Sequence, residues 1–423
     1  MNNAVSNLPE ATDVVVVGAG IAGMSAAWYL NKAGLRVVVC EKGIVAGEQS
    51  SRNWGWIRQQ GRDQAELPIA IESMRLWQDI ADEVDTDIGY QREGSLYLCE
   101  NEEELAGHER FMSFAPAYGL ATDYVNRKQL ESLIPECPGR WQSGLYTPDD
   151  GRAEPSLAVP AMAKTLVARG ARVIENCAVE QVIIENRKVT GVLTEHGEIK
   201  ASSVLCAGGA WSTFLLKGCG IRLPQLTVKA SVARTAPAPL KFSGNASGSK
   251  IAFRRRLDGG YTVASSDYLE IFPSTSHLAY MRDFLPLIRT SFAKLKLRMP
   301  ELTLDDNFKR QRILNPIPSA ATIARIKARL ADRVPAFKDV ELVEAWSGMI
   351  DALPDVVPVL DRAAPIDGLF ISTGFSGHGF GIGPAAGKVM ANLVQNNEVK
   401  YDLTRFRLGR FSDGSKLELG PAI

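Results

Sequence analysis

Three glycines and one glutamate near the N-terminus have the types and spacing of a phosphate-binding turn. Gly18, Gly20 and Gly23 form the pattern GxGxxG, and Glu41 lies 23 residues after the first of them. The first glycine permits a tight turn, the second lets a pyrophosphate approach the backbone, and the third allows close helix packing. A carboxylate at Glu41 can accept hydrogen bonds from an adenosine ribose, which disfavours a 2′-phosphate. The chemistry indicated is recognition of a dinucleotide.

The flanking residues predict the elements that position these groups. A continuous apolar run from Val14 to Val17 predicts a parallel strand covered on both faces. A helix from about Ile21 to Ala33 follows, and its positive N-terminus faces the phosphates. The second strand, RVVVCEK, then ends in Glu41. A glycine-rich turn without a nucleotide is the alternative.

Three later segments favour FAD over NAD, since NAD proteins share the first unit. The stretch AGEQSSRNWGWIRQ offers small and polar side chains to phosphates and a ribityl chain, and the strand-like SSVLCAGGAWS ends in two glycines. Near the C-terminus lies GLFISTGFSGHGFGIGPAAGKVMANLV, a third strand and a glycine-rich loop. It predicts a helix that begins near Pro384. The N–H groups of that helix would stabilise the negative charge of a reduced flavin.

These segments closely resemble the D-amino-acid oxidase, glycine oxidase and sarcosine oxidase superfamily of flavoproteins. The resemblance covers nearly the whole chain and is least clear in the middle. It implies that the serine-rich stretch, the strand NCAVEQVIIEN and the GHG loop contact FAD. With the first loop, the expected FAD-contacting residues are Gly18, Gly20, Ile21, Ala22, Gly23, Glu41, Lys42, Ser50, Ser51, Arg52, Asn53, Trp54, Gly55, Val179, Ala207, Gly208, Trp211, Gly348, Gly377, His378, Gly379, Phe380 and Gly381. His378 is expected to contact the cofactor and not to act as a base, with simple packing in the loop as the alternative.

The resemblance further implies that FAD is held noncovalently. Sarcosine oxidases that tether FAD use a cysteine in a segment resembling WSGMIDALPD, where this chain has Gly348. Relatives that tether FAD through histidine place that histidine near the serine-rich stretch. None of the four histidines of this chain lies there.

At one substrate-binding position this chain departs from the pattern it resembles. Amino-acid oxidases of the family grip the substrate carboxylate with an arginine at the position where AWSGMIDALPDVVPVLD has Ile350. An apolar residue cannot hold a carboxylate. Arg58 is the predicted substitute, and the alternative is a surface pair of Arg58 with Asp63 or Glu66.

Asp351 and two tryptophans complete the predicted substrate site, in which Asp351, Arg58 and Trp54 are the candidate catalytic residues. Asp351 can hold a substrate ammonium or influence its protonation, and the alternative is a turn or cap residue before Pro354. Trp54 and Trp56 can attract a cationic amine through their ring faces, or can pack in the core. The implied reaction oxidises the C–N bond of an amino acid or N-substituted amine to an imine by hydride transfer to flavin N5. No Ser-His-Asp or metal constellation is expected.

The predicted fold is α/β, with a Rossmann-like FAD-binding domain interleaved with an antiparallel-sheet α+β substrate domain. The FAD-binding segments are expected at 11–60, 151–224 and 343–397, the substrate-binding segments at 61–150 and 225–342, and a C-terminal tail at 398–423.

The substrate domain is predicted from patches of alternating residues. GSLYLCE, LTVKASVART, KIAFRRRL and GYTVASSD predict strands, with a DGG turn joining the last two. Helices are predicted in SHLAYMRDFLPLIRTSFAKLK and SAATIARIKARLADRV. In FRRRLDGG only Arg254 and Arg256 can share a strand face, and a solvated sheet edge is expected there.

Composition restricts the partners and the location. The 48 Lys and Arg balance the 48 Asp and Glu, so no overall field attracts nucleic acid, and the expected partner is a small amine or amino acid. The six cysteines form no CxxC pair and are predicted to be reduced core thiols of a cytoplasmic protein. No run approaches the roughly 18 to 20 apolar residues of a transmembrane helix.

The electron acceptor stays open. An oxidase would pass its electrons to oxygen. A dehydrogenase, or an electron-relay subunit of a hetero-complex, would pass them to a quinone or a partner subunit.

Overall fold

A computed structural model of the chain describes residues 8–420 except 137–139, 249, 267–268, 272–274, 292–294, 298–307 and 309. The strands are β1 (Ala11–Val17), β2 (Val37–Cys40), β3 (Trp56–Ile57), β4 (Ser95–Cys99), β5 (Asp123–Asn126), β6 (Ser143–Thr147), β7 (Gly151–Arg152), β8 (Arg172–Ile174), β9 (Val179–Glu185), β10 (Lys188–Thr194), β11 (Gly197–Cys206), β12 (Leu226–Thr235), β13 (Asn245–Gly248), β14 (Ile251–Arg255), β15 (Tyr261–Ser265), β16 (Leu269–Ile271), β17 (Leu295–Leu297), β18 (Leu342–Ala352), β19 (Val359–Arg362) and β20 (Leu369–Thr373). The helices are α1 (Ile21–Lys32), α2 (Gln49–Arg52), α3 (Leu67–Glu83), α4 (Glu102–Met112), α5 (Arg127–Leu133), α6 (Pro155–Ala168), α7 (Ser212–Gly218), α8 (Thr275–Ser291), α9 (Ala320–Arg333) and α10 (Gly379–Val394).

The first sheet has eight strands and is parallel at its centre. Its order is β19-β20-β11-β1-β2-β8, and β10 and β9 extend it from the early part of β11. Val16 of β1 lies between Val39 of β2 and Leu205 of β11. Val14 and Val16 pack into one hydrophobic core and Val15 into another, so both faces of β1 are covered. The predicted β1-α1-β2 unit is confirmed.

Helices α1, α3, α6 and α10 cover one face of this sheet. Trp28 of α1 and Val389 of α10 share the same core. The backbones of α1 and α10 come into close contact, since a Cβ at Gly387 would lie 2.4 Å from the carbonyl carbon of Ser25. The small residues in GIGPAAGKV therefore allow the two helices that flank the glycine-rich loops to pack together.

The prediction that the last helix begins near Pro384 is wrong. Helix α10 begins at Gly379, and Pro384 lies inside it. A proline in a helix leaves the carbonyl four residues earlier without its usual N–H donor. Here that carbonyl, Phe380 O, accepts the indole N–H of Trp77 at 3.2 Å, so α3 compensates for the missing bond.

The second sheet has ten strands and is mostly antiparallel. Its order is β17-β16-β12-β15-β14-β13-β4-β6-β5, and β18 pairs with β12 along its length. The four predicted strands correspond to β4, β12, β14 and β15. The DGG turn is confirmed, because it joins β14 to β15 with Arg255 opposite Tyr261. A short third sheet pairs β3 with β7.

Two predictions for this region need correction. FRRRLDGG is not a solvated edge, since β14 pairs with β13 on one side and β15 on the other, and Arg254 is buried. The helix predicted through residue 296 ends at Ser291, and β17 begins at Leu295 and pairs with β16. Residues 292–294 of that prediction lie outside the described residues. The other predicted helix is confirmed as α9, capped by the Ser319 side chain.

The division of the chain into FAD-binding and substrate-binding segments stays a prediction. One strand pairing crosses the predicted boundary between them. The prediction places residues 343–352 of strand β18 in the FAD-binding segment 343–397, but β18 pairs with β12 of the antiparallel sheet. Its residues therefore join the two parts of the molecule.

The cysteines are mostly buried, as expected for core thiols. Cys40, Cys99, Cys177 and Cys206 are buried and Cys219 is half-buried, and these five are free thiols. The sixth, Cys137, lies outside the described residues. Within the described parts of the chain, no helix is long and apolar enough to span a membrane.

Candidate active site

The first of two neighbouring cavities lies at the carboxyl ends of β1, β2 and β11 and reaches the start of α10. The structure brings most of the predicted FAD-contacting residues together around it. Those lining it are Gly18, Gly20, Ile21, Ala22, Glu41, Lys42, Ser50, Asn53, Val179, Ala207, Gly208, Trp211, Gly377, Gly379 and Phe380.

The glycine turn has the close contacts that its sequence predicts. Gly18 has φ +104°, and a Cβ there would lie 2.5 Å from Ala207 O. A Cβ at Gly23 would lie 2.0 Å from Gly18 O, so only glycine lets α1 pack on the turn. A Cβ at Gly20 would project toward Ser50 Oγ, which accepts the backbone N–H of Ile21. Gly18 and Gly20 line the cavity and Gly23 supports it from behind.

Glu41 lines the first cavity next to the glycine turn. Its carboxylate accepts the N–H of Ala19 at 2.8 Å and of Gly43 at 2.7 Å. Burial raises the pKa of this carboxyl. The carboxylate is thereby fixed at the end of β2, beside the turn.

Three further side chains line this cavity: Lys42 and Trp211, which the sequence predicted, and Glu48, which it did not. Lys42 Nζ lies 3.2 Å from the ring centre of Trp211, and burial lowers the pKa of this amine to about 8. The Trp211 indole N–H donates to the Glu48 carboxylate at 3.0 Å. Glu48 was missed, although it lies in the AGEQSSRNWGWIRQ stretch, because an acid next to a phosphate-binding turn has no obvious role in the sequence.

The far end of the first cavity is formed by the loop before α10 and by Asp351. The Asp351 carboxylate accepts the N–H of Gly374 at 2.8 Å, and burial raises its pKa to about 6. Ser372 also lines this end, and its buried hydroxyl has no hydrogen-bond partner among the described residues. Backbone N–H groups of the α10 N-terminus lie beside them.

The donors and shape of this cavity fit FAD. The glycine positions leave backbone exposed where any Cβ would collide, which is the surface that a pyrophosphate needs. A carboxylate, hydroxyls and the buried Lys42 ammonium line the middle, and a helix N-terminus lies at the far end. The residues present therefore match the polar requirements of a dinucleotide that ends in a flavin ring.

Several predicted FAD-contacting residues do not line the first cavity. Ser51 donates to Glu48 O, and Gly55 packs against Ala153 O and Arg254. Gly381 packs against β3, with its own carbonyl accepting the hydroxyl of Ser73.

Gly348 likewise lies away from the first cavity. A Cβ there would lie 2.0 Å from Gln49 Oε1, so β18 presses directly on α2. The noncovalent attachment of FAD stays a prediction.

A second and larger cavity of about 490 Å³ adjoins the first. Gln49, Asn53, Gly377 and Phe380 line both cavities and therefore mark their junction. Its other lining residues include Arg52, Trp54, Trp56, Arg58, Gln60, Arg62, Tyr97, His108, Phe111, Ile350 and His378. Predicted FAD contacts Arg52, Trp54 and His378 thus lie at this second cavity and not at the first.

Arg58 faces the second cavity, so the surface-pair alternative is wrong. Its guanidinium donates to Gln60 O at 2.5 Å and to the Tyr97 hydroxyl. The proposed partners are engaged elsewhere: Asp63 with Arg405, and Glu66 with His378.

The two tryptophans are held by a buried ion pair. Trp54 and Trp56 pack edge to face with ring centres 5.5 Å apart, and Trp54 O accepts Arg254 Nε at 2.6 Å. Arg254 also binds both Glu154 oxygens, at 2.9 and 3.0 Å, and Arg256 lies 3.7 Å from the same carboxylate. Arg254 and Arg256 both approach Glu154, as expected for residues that share a face, but Arg254 is buried and Arg256 half-buried, so the face is not a solvated edge.

Ile350 and Asp351 are separated by the alternation of β18. Ile350 lines the second cavity, whereas Asp351 lines the first. Asp351 therefore does not share a cavity with Arg58 and Trp54, contrary to the expectation of a common substrate site. It is also not a turn residue, because it lies within a strand.

His378 is tied to a group of buried charges. Its Nδ1 lies 2.9 Å from Glu66, and burial lowers its pKa to about 4, so the neutral ring donates to the carboxylate. Glu66 in turn lies 3.9 Å from Arg62. Sequence reasoning missed Arg62, since one arginine in the polar run QQGRD looks like a surface residue.

Comparisons with known proteins agree with this geometry. A family model described as "DAO: FAD dependent oxidoreductase" matches residues 13–393. Sarcosine oxidase subunit beta of Arthrobacter sp is 24% identical over 96% of this chain and 92% of its own length. Mitochondrial sarcosine dehydrogenase of Mus musculus is 24% identical over 96% of this chain, and the chain spans 42% of that relative's length. The solved structure of L-amino acid deaminase from Proteus myxofaciens has a TM-score of 0.91 and 26% identity, with 96% of this chain and 95% of that one covered.

Proposed function

Because the chain belongs to the DAO family of FAD dependent oxidoreductases, we propose that it oxidises the C–N bond of an amino acid or N-substituted amino acid to an imine, with noncovalent FAD. The observation that carries this proposal is the junction of the two cavities. Gln49, Asn53, Gly377 and Phe380 belong to both walls, so a ligand in the second cavity meets the end of the first. The imine would hydrolyse to a carbonyl compound and an amine.

The relatives support this substrate class. Their names point to sarcosine and to L-amino acids, which share an amine one carbon from a carboxylate. The second cavity, at about 490 Å³, is large enough for an amino acid with a sizeable side chain.

FAD, when bound, supplies the acceptor for a hydride from the carbon next to the amine. The chain's own task is to orient the substrate at the junction and to keep its nitrogen uncharged. Arg58 supports both tasks, since a fixed cation near the site attracts a carboxylate and lowers the pKa of a nearby ammonium. His378 is neutral and its Nδ1–H is engaged by Glu66, so it contributes packing and not a base on that nitrogen.

An anaerobic titration of the purified flavoprotein tests the proposal. D- and L-amino acids, N-methyl amino acids and simple amines would be added while the flavin absorbance is recorded. We expect at least one amino or N-methyl amino acid to bleach the flavin. Bleaching by none of them would contradict the proposal.

A second candidate is a dehydrogenase or electron-relay subunit of a hetero-complex. Two observations favour it. One relative is named as a subunit of sarcosine oxidase, and the match to the longer sarcosine dehydrogenase covers only 42% of that relative's length. Turnover of the same substrate in air, with and without an artificial acceptor, distinguishes the two candidates. Peroxide formation indicates an oxidase, and turnover only with an artificial acceptor or quinone indicates the alternative.

The cytoplasmic location stays a prediction.

A further inference from the structure

Helix α4 contributes its two buried side chains, His108 and Phe111, to the wall of the second cavity. With Glu104 and Gly107 they line the cavity at the spacing i, i+3, i+4 and i+7, which is one face of a helix. The other side of α4 is exposed. The helix therefore lies between the cavity and solvent, and His108 is on its inner face.

His108 is a buried polar group that the protein leaves without a partner. The residue is 8% exposed, and its Nδ1 accepts or donates no hydrogen bond among the described residues. Burial lowers the pKa of the imidazole to about 4, so the ring is uncharged near neutral pH. A neutral imidazole donates through one nitrogen and accepts through the other. Leaving such a group buried and unpaired is unfavourable, and a ligand in the cavity can complete it.

The antiparallel sheet adds hydroxyl groups beside this helix. Ser247 of β13 and Ser266, which follows β15, line the same cavity. A Cβ at Gly248 would lie 2.5 Å from Leu98 Cβ, so β13 packs directly on β4, and α4 begins three residues after β4 ends. His108, Ser247 and Ser266 are together called the distal wall. It offers donors and acceptors without a charge.

The distal wall is built from other elements than the flavin end of the cavity. The junction with the first cavity is lined by Gln49, Asn53, Gly377 and Phe380, which belong to α2 and to the start of α10. The residues of the distal wall line the second cavity and not the first. In a cavity of about 490 Å³, a substrate whose reacting carbon lies at the junction can extend its side chain toward this wall.

The charged side chains near the distal wall have opposite signs. Glu104 and Lys250 line the same cavity. Glu104 Oε2 accepts the N–H of Glu100 at 2.8 Å, and Lys250 is exposed. Together they favour neither an acidic nor a basic group on the ligand.

We propose that His108 and the distal wall hold an uncharged hydrogen-bonding group at the end of the substrate's side chain. The enzyme then prefers amino acids that carry an amide, a hydroxyl or a ring N–H over hydrocarbon side chains of the same size. The inference rests on the proposed function and narrows its substrate class. His108 is a specificity residue in this scheme, because a buried group that needs a partner penalises a substrate without one.

The first test compares substrates that match in size and differ in one polar group. Tyrosine is paired with phenylalanine and glutamine with methionine, and kcat/KM is measured for the enantiomer that reduces the flavin. We expect about fivefold or higher kcat/KM for the polar member in at least one pair. No preference for the polar member in either pair would overturn the proposal. A tenfold preference for glutamate or lysine over glutamine would also overturn it, since the wall would then recognise charge.

The second test uses the variants His108→Leu and His108→Asn. Leucine fills the site without a polar atom, and asparagine keeps a polar atom near the position of Nδ1. We expect the ratio of polar to apolar kcat/KM to fall about tenfold in His108→Leu, and His108→Asn to restore part of it. The kcat of the apolar substrate should change little, because the wall lies away from the reacting carbon.

The control for these variants is Glu109→Leu, which places the same side chain on the exposed side of α4 and should leave the ratio unchanged. An unchanged ratio in a folded His108→Leu variant would return His108 to a packing role. If His108→Leu does not fold, the wild-type substrate pairs decide.

Ligands that cannot be oxidised separate this inference from the proposed function. Hydroxyphenylpropionate and phenylpropionate are tyrosine and phenylalanine without the amine, and their Kd for the holoenzyme is measured by the change in flavin absorbance. Suppose that the hydroxylated acid binds more tightly to the wild type but not to His108→Leu, and that no amino acid bleaches the flavin. The proposed function would then be wrong and the distal wall would stand. Bleaching by amino acids without discrimination in either assay would have the reverse meaning.

Discussion

Single residues at the two cavities differ in how their charges are satisfied. Asp351 is buried and accepts the backbone N–H of Gly374. Arg254 is fully buried and bonded to both oxygens of Glu154. Both carry hydrogen bonds, but only the arginine has an opposite charge beside it. Their contributions to stability should therefore respond differently to substitution.

Asp351→Asn should change how stability depends on pH. Burial raises the folded-state pKa of Asp351 from 3.8 to about 6, so the folded state holds the proton over a range where the unfolded state has lost it. Stability should fall as pH rises from about 4 to 6, by an amount on the order of 3 kcal/mol, and then level off. The asparagine keeps an oxygen that can accept the Gly374 N–H, but it does not titrate, so this pH-dependent part of the stability should disappear. Thermal unfolding of the apoprotein at pH 4.5, 6 and 8 measures it, and identical pH profiles for the two proteins would refute the assignment.

Arg254→Met should strongly destabilise the fold. Removing one partner of a buried ion pair leaves the other uncompensated, at a cost of about 3 to 5 kcal/mol. Urea unfolding measures the change in free energy, and the double variant Arg254→Met with Glu154→Leu should lose less than Arg254→Met alone. Arg92→Met is the control, because Arg92 is 50% exposed in its pair with Asp149 and should change stability by no more than about 1 kcal/mol. A loss below 1 kcal/mol for Arg254→Met would contradict the expectation.

At the scale of elements, helix packing decides where the cofactor surface can form. Helix α1 packs on the turn at Gly23 and on α10 at Gly387, with no room for a side chain at either contact. Helix α10 contains a proline and still begins at Gly379, because Trp77 of α3 supplies a donor to Phe380 O. The two helix N-termini that face the first cavity are thus set by their neighbours.

Gly23→Ala should weaken FAD binding more than it weakens folding. The added Cβ would lie 2.0 Å from Gly18 O and would push α1 away from the turn. We expect at least tenfold lower FAD affinity, measured by reconstitution of the apoprotein. Gly218→Ala is the matched control, since no atom lies within 4 Å of a Cβ at the end of α7. Wild-type FAD affinity in Gly23→Ala would show that the turn tolerates the shift.

At the scale of the whole molecule, the segment after α10 ties distant parts together. Arg410 forms a buried pair with Asp355 at 2.7 Å, and Phe406 is fully buried. Arg405 bonds Asp63, the residue after Arg62 in the wall of the second cavity. The predicted tail is therefore packed against the body of the protein.

Arg410→Leu should lower the melting temperature markedly, because Asp355 would stay buried without its cation. We expect a loss of about 3 kcal/mol or more. Arg407→Leu, three residues earlier, removes a pair that is 44% and 36% exposed and should have little effect. Calorimetry on both variants measures the difference. Equal melting temperatures would mean that the segment adds little to stability.

The sequence by itself determined the dinucleotide turn, the strands and helices around it, and the flavoprotein family. These follow from local rules, because glycine spacing, apolar runs and period-two alternation act on residues close in the chain. It also identified Ile350, Asp351 and Arg58 as the residues that distinguish this chain. What each of them faces could not be predicted in the same way.

The tertiary structure alone decided which groups share a cavity. Ile350 and Asp351 are neighbours in sequence but face different cavities, because β18 crosses between them. Arg62 and Arg254 look like surface residues in polar runs, yet both are buried. Arg62 lies in a cavity wall, 3.9 Å from Glu66, and Arg254 forms a hydrogen-bonded ion pair with Glu154. Burial and pairing of a charge depend on segments up to a hundred or more residues away, which no local pattern contains.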